Sequence, residues 1–195
     1  LTRRLAEDLG AERLHPGQMV LGVREERHRV AVLALDARTR SHAAWEAPVV
    51  VVALPLFAAR RIVQPAAAEL KAALEAAAGA LAYAPWLVAN LLLDKPLLDR
   101  GIGTPAAWDN VVHGARGLGY VDASHQRLGV LPAAAPVLTA YHALPAGERA
   151  ALLDVDPRPW AERVFADLEA AHPDLRQRVQ RIDLMRYGHA MAVPR

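Results

Sequence analysis

The longest uninterrupted run of β-branched residues in the chain covers residues 49–52, four valines in a row. A run without polar alternation is typical of a strand covered on both faces, as in a parallel sheet. We therefore predict a buried strand over residues 49–53, ended by Pro55, which cannot donate to a ladder. An amphipathic segment, residues 56–63, follows at once. This arrangement predicts part of a nucleotide-binding α/β domain.

The patterns before this run predict a small antiparallel meander. Residues 19–25 and 28–35 are strand-like, and the polar cluster around Glu26 favours a hairpin between them. Residues 42–46 predict a short third strand. After the valine run, Pro65 opens a helix whose leucines recur at helical spacing. Because the composition changes here, we place a domain boundary near residue 64.

The rest of the chain alternates between strand-like and helical patterns. Strand-like segments cover residues 86–93, 108–113, 118–125, 137–142 and 181–187. A helical segment covers residues 146–153. Asp156 caps a second helix, which carries an apolar stripe, and a short third helix begins at Pro173. This order predicts an α+β fold with a mixed or antiparallel sheet over residues 64–195. Residues 1–63 form the partial α/β segment before it.

The charge balance favours no particular macromolecular partner. The chain has 23 lysines and arginines against 21 acidic residues, a net charge of +2. The arginines are scattered and form no basic stripe with interleaved aromatic residues, so we expect no nucleic-acid partner.

Cysteine is absent, which excludes disulfides, thiolate catalysis and Cys-based zinc sites. The chain therefore needs no oxidising compartment, and we expect a cytoplasmic location. The longest apolar run, residues 47–59, is interrupted by prolines and is too short to span a bilayer.

Three features of the sequence resemble parts of known binding or catalytic sites. Gly117 and Gly119 resemble the start of a dinucleotide fingerprint, but a strand-like segment follows them and the third glycine is missing. The eight histidines lack the spacing of metal ligands, so we expect no metal site. Ser124 and His125 are neighbours in a predicted strand and point to opposite faces, which excludes a serine nucleophile and its base.

Polar and aromatic residues interrupt two otherwise apolar strand-like segments, at residues 108–110 and 124–126. Buried polar groups require partners, which either a ligand in a pocket or ordinary polar packing supplies. We hypothesise that four side chains converge on one face of the second sheet and bind substrate: Trp108, Asn110, His125 and Tyr187.

Three stretches together resemble a known family. They are residues 15–24 leading to 49–55, residues 107–111 with 119–126, and residues 182–191. In these stretches the chain resembles the middle and C-terminal part of bacterial FAD-dependent oxidoreductases of the flavin-containing amine oxidase superfamily. The resemblance implies an FAD domain built from separated segments and a substrate domain whose mixed sheet roofs the flavin.

The resemblance also implies positions for the cofactor and the substrate. Val20 matches the position whose main chain contacts the adenine end of FAD. The turn formed by Ala53, Leu54 and Pro55 would approach the cofactor, as would His189. The segment that contains Tyr187 and His189 would approach the substrate side of the flavin.

Two parts of the family pattern are missing from this sequence. There is no GxGxxG strand-turn-helix and no C-terminal Gly-Asp-type segment to hold the pyrophosphate. We therefore expect a fragment whose intact parent binds FAD, and we expect neither tight FAD binding nor catalysis from the fragment alone. Uncovered sheet surface would then favour a homo-oligomer.

Two hypotheses of function follow from these observations. The first is a fragment of an FAD-dependent oxidoreductase that oxidises a small or hydrophobic molecule by hydride transfer to flavin. The alternative is a non-enzymatic α+β binding or interaction module. A concave surface that gathers the predicted substrate residues would favour the first.

Overall fold

The computed structural model describes residues 2–98, 107–126, 135–154 and 156–195. The chain divides into two compact units, Leu1–Leu81 and Ala82–Arg195. This division lies later than the boundary predicted near residue 64, because the helix that follows this position packs against the helix before it. The assignment of the units to cofactor and substrate domains stays a prediction.

The first unit contains a four-stranded sheet with three helices. Its elements are α1 (Thr2–Leu9), β1 (Gln18–Glu25), β2 (Val30–Asp36), β3 (His42–Ala47), α2 (Leu56–Ile62), β4 (Val63–Gln64) and α3 (Ala68–Gly79). The strand order is β3-β2-β1-β4, antiparallel except for β1 and β4, which are parallel. The predicted meander is therefore confirmed.

The predicted buried strand over residues 49–53 is wrong. This segment belongs to no strand, and the side chains of Val49 and Val51 are 76% and 86% exposed. Val50 and Val52 are half-buried, so burial still alternates along the segment as it does along a half-covered strand. A valine run favours extended backbone, but strand pairing needs a neighbour, and the described part of the chain supplies none.

The helix predicted from Pro65 begins at Ala68 and differs in its buried face. Leu70 is 54% exposed, whereas Ala78 is buried. Alanine-rich sequence marks the apolar side of a helix weakly, because many positions carry the same small side chain. The helix exists as predicted, but its packing face does not follow the leucines.

The second unit contains a five-stranded sheet with helices. Its elements are β5 (Leu81–Leu93), β6 (Asp109–Asn110), β7 (Gly119–Asp122), β8 (Val137–Ala143), α4 (Arg149–Asp154), α5 (Arg158–Glu169), α6 (Leu175–Arg178) and β9 (Val179–Pro194). The strand order is β6-β7-β8-β5-β9. Antiparallel pairing joins β6 to β7, β7 to β8, and β8 to β5. The whole chain thus has the predicted α+β fold.

The helices of the second unit cover one face of its sheet. Trp160, Val164 and Leu168 of α5 form the predicted apolar stripe and join one core cluster with Leu152 of α4. The opposing side chains come from β5, β7 and β8, among them Leu87, Ala89, Leu91, Tyr120 and Ala140. The described helices therefore pack against one face of the sheet, and the side chains on its other face lie outside this core cluster.

β7 is shorter than the strand predicted over residues 118–125. It ends at Asp122, and a short 3-10 helix, Ala123–Gln126, follows. The carboxylate of Asp122 accepts a hydrogen bond from the backbone N–H of Ser124 at 2.9 Å. Such a local turn competes with the ladder, which explains why the strand stops here.

Candidate functional site

The two faces of the second sheet differ in burial along the central strands. In β5 the side chains of Leu87, Ala89 and Leu91 are fully buried, and the residues between them are half-buried. Residues of β8 directly opposite show the same alternation. The side chains on the less buried face are Trp86, Val88, Asn90 and Leu92 of β5 with Val137, Thr139 and Tyr141 of β8. We call this set the half-buried face.

A polar pair occupies the centre of the half-buried face. Asn90 and Thr139 lie directly opposite each other, and Thr139 Oγ1 donates a hydrogen bond to Asn90 Oδ1 at 2.7 Å. Asn90 Nδ2 lies 3.9 Å from Sδ of Met185 in β9, and a thioether is a weak acceptor. The described part of the chain makes no other hydrogen bond to these two side chains. One amide N–H of Asn90 and the lone pairs of the hydroxyl therefore remain available.

The centre of the half-buried face is uncharged. None of its β5 and β8 residues carries a charge, and β7 adds Gly119 and Val121, which pair with Tyr141 and Thr139. On the neighbouring strand β9, Asp183 is two residues from Met185 and therefore lies on the same side of the sheet, with its carboxylate 2.7 Å from Nη2 of Arg181. Because Asp183 and Arg181 are paired with each other, a charged group brought to the centre would lose water without meeting an unpaired counter-charge, which is unfavourable.

The structure uses Asn110 for a local turn. Its Oδ1 accepts a hydrogen bond from the backbone N–H of Ala107 at 2.8 Å, and its Nδ2 donates to the Ala107 carbonyl at 2.7 Å. Trp108, between them, precedes β6 and is 62% exposed. Both residues therefore lie at the β6 edge of the sheet, with the amide of Asn110 engaged by backbone.

Tyr187 lies in β9, at the opposite edge of the sheet from Asn110. Three strands separate β6 from β9, which corresponds to about 19 Å at roughly 4.8 Å per strand. The two residues also differ in face. Asn110 pairs directly with the buried Tyr120, so it lies on the core face of the sheet. Tyr187 is three residues from Leu184, which packs into the core, so Tyr187 lies on the opposite face.

The predicted convergence of the four substrate residues therefore needs correction, since the structure does not bring Asn110 and Tyr187 together. The prediction placed residues on strands but had no strand order or register from which to place them on one face. His125 lies in the 3-10 helix after β7, and its side chain lies outside the described part of the chain.

Val20, the predicted adenine contact, lies beside an irregularity in β1. Val20 pairs with Ala34 and Gly22 with Leu33, so Leu21 is an extra residue in the ladder to β2. On its other side β1 pairs with β4 only from Val23 onward within the described chain. A bulge leaves main-chain groups outside the ladder, so this stretch has backbone groups to offer a ligand.

The other predicted cofactor contacts lie in two places. Ala53 and Leu54 are exposed, and the carbonyl of Pro55 accepts hydrogen bonds from the N–H groups of Ala58 and Ala59, which starts α2. His189 is an exposed residue of β9, in the second unit.

Two histidines lie on the helix-covered side of the second sheet, where His142 is buried and His172 is half-buried. His142 Nε2 lies 2.8 Å from Oδ2 of Asp167, and His172 Nε2 lies 2.8 Å from the Tyr120 hydroxyl. Burial lowers the pKa of both imidazoles, although Asp167 favours the charged form of His142 and Asp174 favours that of His172. Both histidines are therefore neutral near pH 7 and serve packing.

The pKa of Asp167 is also lowered. Burial by itself would raise it, but hydrogen bonds from the backbone N–H groups of Arg116 and Gly117 and from His142 outweigh that effect. The carboxylate is ionised and accepts three hydrogen bonds, so it ties α5 to β8 and to the loop before β7.

Sequence reasoning missed Asn90 and Thr139. The available signal was their position. Asn90 is the only side-chain amide in the largely apolar β5, and Thr139 is the only aliphatic hydroxyl in β8. Pairing of the two across the sheet follows only from register, which the sequence does not specify.

The residues that the structure describes also bear on two other classes of site. No three histidine, aspartate or glutamate side chains there are grouped to hold a metal ion. Within the same ranges, every helix is too short or too polar to cross a membrane.

Comparison with known proteins gives a family match over nearly the whole chain. Residues 1–191 match the family described as flavin containing amine oxidoreductase. No curated protein matches the chain.

The fold recurs in solved structures at low sequence identity. Cyclohexylamine oxidase from Brevibacterium oxydans IH-35A superposes with a TM-score of 0.69 at 14% identity, over 95% of this chain and 37% of that one. Reduced UDP-galactopyranose mutase superposes with a TM-score of 0.70 at 10% identity, over 96% of this chain and 38% of that one. The chain thus spans less than two-fifths of the length of either structure.

Proposed function

The chain belongs to the flavin containing amine oxidoreductase family, and on that premise we propose that it is part of an FAD-dependent oxidoreductase. In this proposal the first unit contributes to FAD binding and the second unit binds the substrate. The oxidised molecule is small or hydrophobic. The half-buried face, a large uncharged surface on the side of the sheet away from the core helices, is the observation that supports this best.

The first unit fits a main-chain contact with adenine. The bulge at Leu21 frees backbone groups, and the side chains of Val20 and Leu21 are 36% and 42% exposed beside it. Adenine offers an amino donor next to a ring acceptor, which backbone C=O and N–H groups complement. In the proposal Val20 makes this contact and Ala53, Leu54 and Pro55 approach the same cofactor.

The second unit supplies the substrate side. The flavin, when bound, accepts a hydride from the substrate. The role of this chain is then to orient the molecule and exclude water, with apolar side chains such as Val88 and Leu92 in contact with it. Tyr187 and His189, on β9 beside β5, are proposed to approach the flavin at the sheet margin.

The names of the structural neighbours indicate the breadth of chemistry that this fold supports. One acts on cyclohexylamine and the other on a UDP-galactopyranose substrate, as their names state. The apolar cyclohexyl body agrees with the uncharged surface described above, whereas an ammonium group and the phosphates of a nucleotide sugar both bring charge to it. The substrate of the intact protein is therefore proposed to be a largely apolar, uncharged molecule.

Self-association is part of the same proposal. Val49 and Val51 expose most of their surface, and Leu54 is 46% exposed. Exposed apolar surface of this kind favours contact with a second copy, at about 25 cal/mol per Å² of apolar area removed from water. Light scattering over a range of concentrations measures this directly, and a monomer at every concentration contradicts it.

The alternative function is a non-enzymatic α+β binding module. The two functions differ in their response to adenine nucleotides. Equilibrium dialysis with AMP and with GMP tests this, because guanine presents a carbonyl where adenine presents an amino group. The proposal predicts that AMP binds at least about tenfold more tightly than GMP, the effect of one mispaired hydrogen-bonding group. Equal binding of both, or of neither, supports the alternative.

A further inference from the structure

We propose that Asn90 and Thr139 together anchor one hydrogen-bond-accepting group of an otherwise apolar, neutral substrate. This inference rests on the proposed function, because it assigns the substrate class of the half-buried face. The geometry that points to it is a single polar pair at the centre of an uncharged surface.

The donor comes from Asn90. Its carbonyl oxygen is taken by the hydroxyl of Thr139 at 2.7 Å, which fixes the orientation of the amide. The amide nitrogen has two N–H groups, and the acceptor beside it is the Met185 sulfur at 3.9 Å. A ligand oxygen is a much better acceptor than a thioether. A carbonyl, ether or hydroxyl oxygen of a ligand would therefore accept the hydrogen bond that Asn90 Nδ2 can donate.

The substrate is neutral because the residues that flank the pair on β5 and β8 are uncharged, and because Asp183 and Arg181 on the neighbouring strand β9 are paired with each other. Along β5 the flanking residues on this face are Val88 and Leu92, and along β8 they are Val137 and Tyr141. An ionised carboxylate or ammonium group placed here would lose its water with one amide as compensation, which is strongly unfavourable. A neutral oxygen needs one donor, and one donor is present.

The rest of the substrate is apolar and benefits from a flat, adaptable surface. Trp86 and Tyr141 provide aromatic area near one end of the face, where Trp86 is opposite Ala143 and Tyr141 is opposite Val88. Met185 adds an unbranched side chain that adjusts to the shape of its neighbours. These contacts supply affinity, and the single polar anchor supplies orientation.

Sheet stability alone does not explain the pair. Asparagine is depleted from strands, and an apolar side chain at a half-buried central position packs better than an amide. A cross-strand hydrogen bond contributes only modestly to net stability, and an apolar pair of similar shape replaces it at little loss. The pair is therefore better explained by recognition than by packing.

Selective isotope labelling of asparagine gives a direct test on the full chain. The sequence contains two asparagines, Asn90 and Asn110, so an NMR spectrum shows two side-chain amide pairs, with Asn110 as internal reference. The probes are acetophenone, which carries a carbonyl, ethylbenzene, which has no acceptor, and benzoate, which is charged. We expect acetophenone to shift the Asn90 amide and to leave that of Asn110 in place.

The expected preference is about tenfold for acetophenone over ethylbenzene, the value of one hydrogen bond near 1.4 kcal/mol. Benzoate should give no shift of the Asn90 amide at the same concentrations. Equal binding of acetophenone and ethylbenzene, or a benzoate shift at Asn90, overturns the inference.

Variants of the pair sharpen the test. Thr139→Val removes the hydroxyl that fixes the amide, and we expect it to abolish the preference for acetophenone while ethylbenzene binds as before. Thr139→Ser keeps the hydroxyl and should keep the preference. A Thr139→Val chain that retains the preference contradicts the inference, and a folded Thr139→Ser chain that loses it does so as well.

Failure of this inference is separable from failure of the proposed function. The AMP and GMP comparison probes the first unit, whereas the acetophenone titration probes the second unit without any cofactor. Adenine preference without acetophenone preference rejects the polar anchor and keeps the flavin proposal. Acetophenone preference without adenine preference shows that Asn90 and Thr139 bind an acceptor group, but it rejects the flavin proposal. The pair could then no longer be assigned to a substrate.

Discussion

The imidazole of His142 and the carboxylate of Asp167 lie 2.8 Å apart, with side-chain exposures of 2% and 10%. The same carboxylate accepts a hydrogen bond from the backbone N–H of Gly117 at 2.8 Å. One buried aspartate therefore joins α5 to β8 and to the loop before β7. A side chain at position 117 would have no room, because a Cβ there would lie 2.9 Å from His142 Nε2.

Asp167→Asn should lower the free energy of unfolding by about 2–3 kcal/mol. The amide keeps one acceptor oxygen but places an N–H group against the donors of Gly117 and His142, and hydrogen bonds to a charged group are lost. Denaturant unfolding measures the change. Glu162→Gln on the exposed side of the same helix is the control and should leave the unfolding midpoint unchanged. Equal midpoints for both variants would show that the buried carboxylate does not stabilise the fold.

Stability should fall as the pH is lowered from about 7 toward 5. Burial lowers the pKa values of His142 and His172 below that of an unfolded histidine, about 6.5. Below that pH the unfolded chain binds more protons than the folded one, so acid favours unfolding. The contribution is complete above pH 6.5 and is lost as the pH falls through the lower folded values.

Thermal unfolding across this pH range measures the effect. Replacing one of the two groups, as in His142→Gln, should reduce the pH dependence while the other histidine retains its share. An unfolding temperature that is constant between pH 7 and about 5 contradicts the conclusion that both histidines are neutral in the folded chain.

Gly119→Ala should be among the most harmful small substitutions in the second unit. Gly119 has φ +106°, and a Cβ there would lie 2.0 Å from the carbonyl oxygen of Asn110. Both backbone strain and a clash with backbone oppose the alanine, so we expect a loss of about 3 kcal/mol or more. Gly17→Ala is the matched control, with φ +79° but open space around it, and should lose about 1–2 kcal/mol. Similar losses at the two positions would rule out the clash.

The exposed valines should tolerate truncation. Val51→Ala removes a side chain that is 86% exposed, so we expect a change within about 0.5 kcal/mol. Val164→Ala removes the same atoms from a fully buried position and should lose about 2–3 kcal/mol through transfer and cavity terms. A large loss at Val51 under dilute, monomeric conditions would indicate that the 49–53 segment is packed after all.

The sequence predicts the elements whose signals are local. The hairpin of β1 and β2 follows from two apolar runs around a polar turn, and the stripe of α5 follows from residues spaced by one helical turn. The valine run does not form a strand, because a strand needs a neighbouring strand to pair with and only tertiary structure supplies that neighbour. A propensity for extended backbone does not provide a pairing partner.

The candidate site depends on information that single segments do not contain. Trp108 and Tyr187 are each conspicuous in the sequence, yet strand order places them at opposite edges of one sheet. Asn90 and Thr139 are inconspicuous, yet register places them side by side at its centre. Recognition of the family was possible because it draws on the whole chain.

We propose that β1 receives the adenine end of FAD, and an amide NMR titration of the full chain with FAD measures this contact. We predict shifts concentrated at Val20, Leu21 and Gly22, reproduced by AMP and absent with riboflavin, which lacks the adenine. Binding should be weak and lost on desalting, because the sequence has no GxGxxG turn for the pyrophosphate. Absence of shifts at β1 with millimolar FAD, or shifts confined to other strands, would show that β1 does not bind the adenine end of FAD.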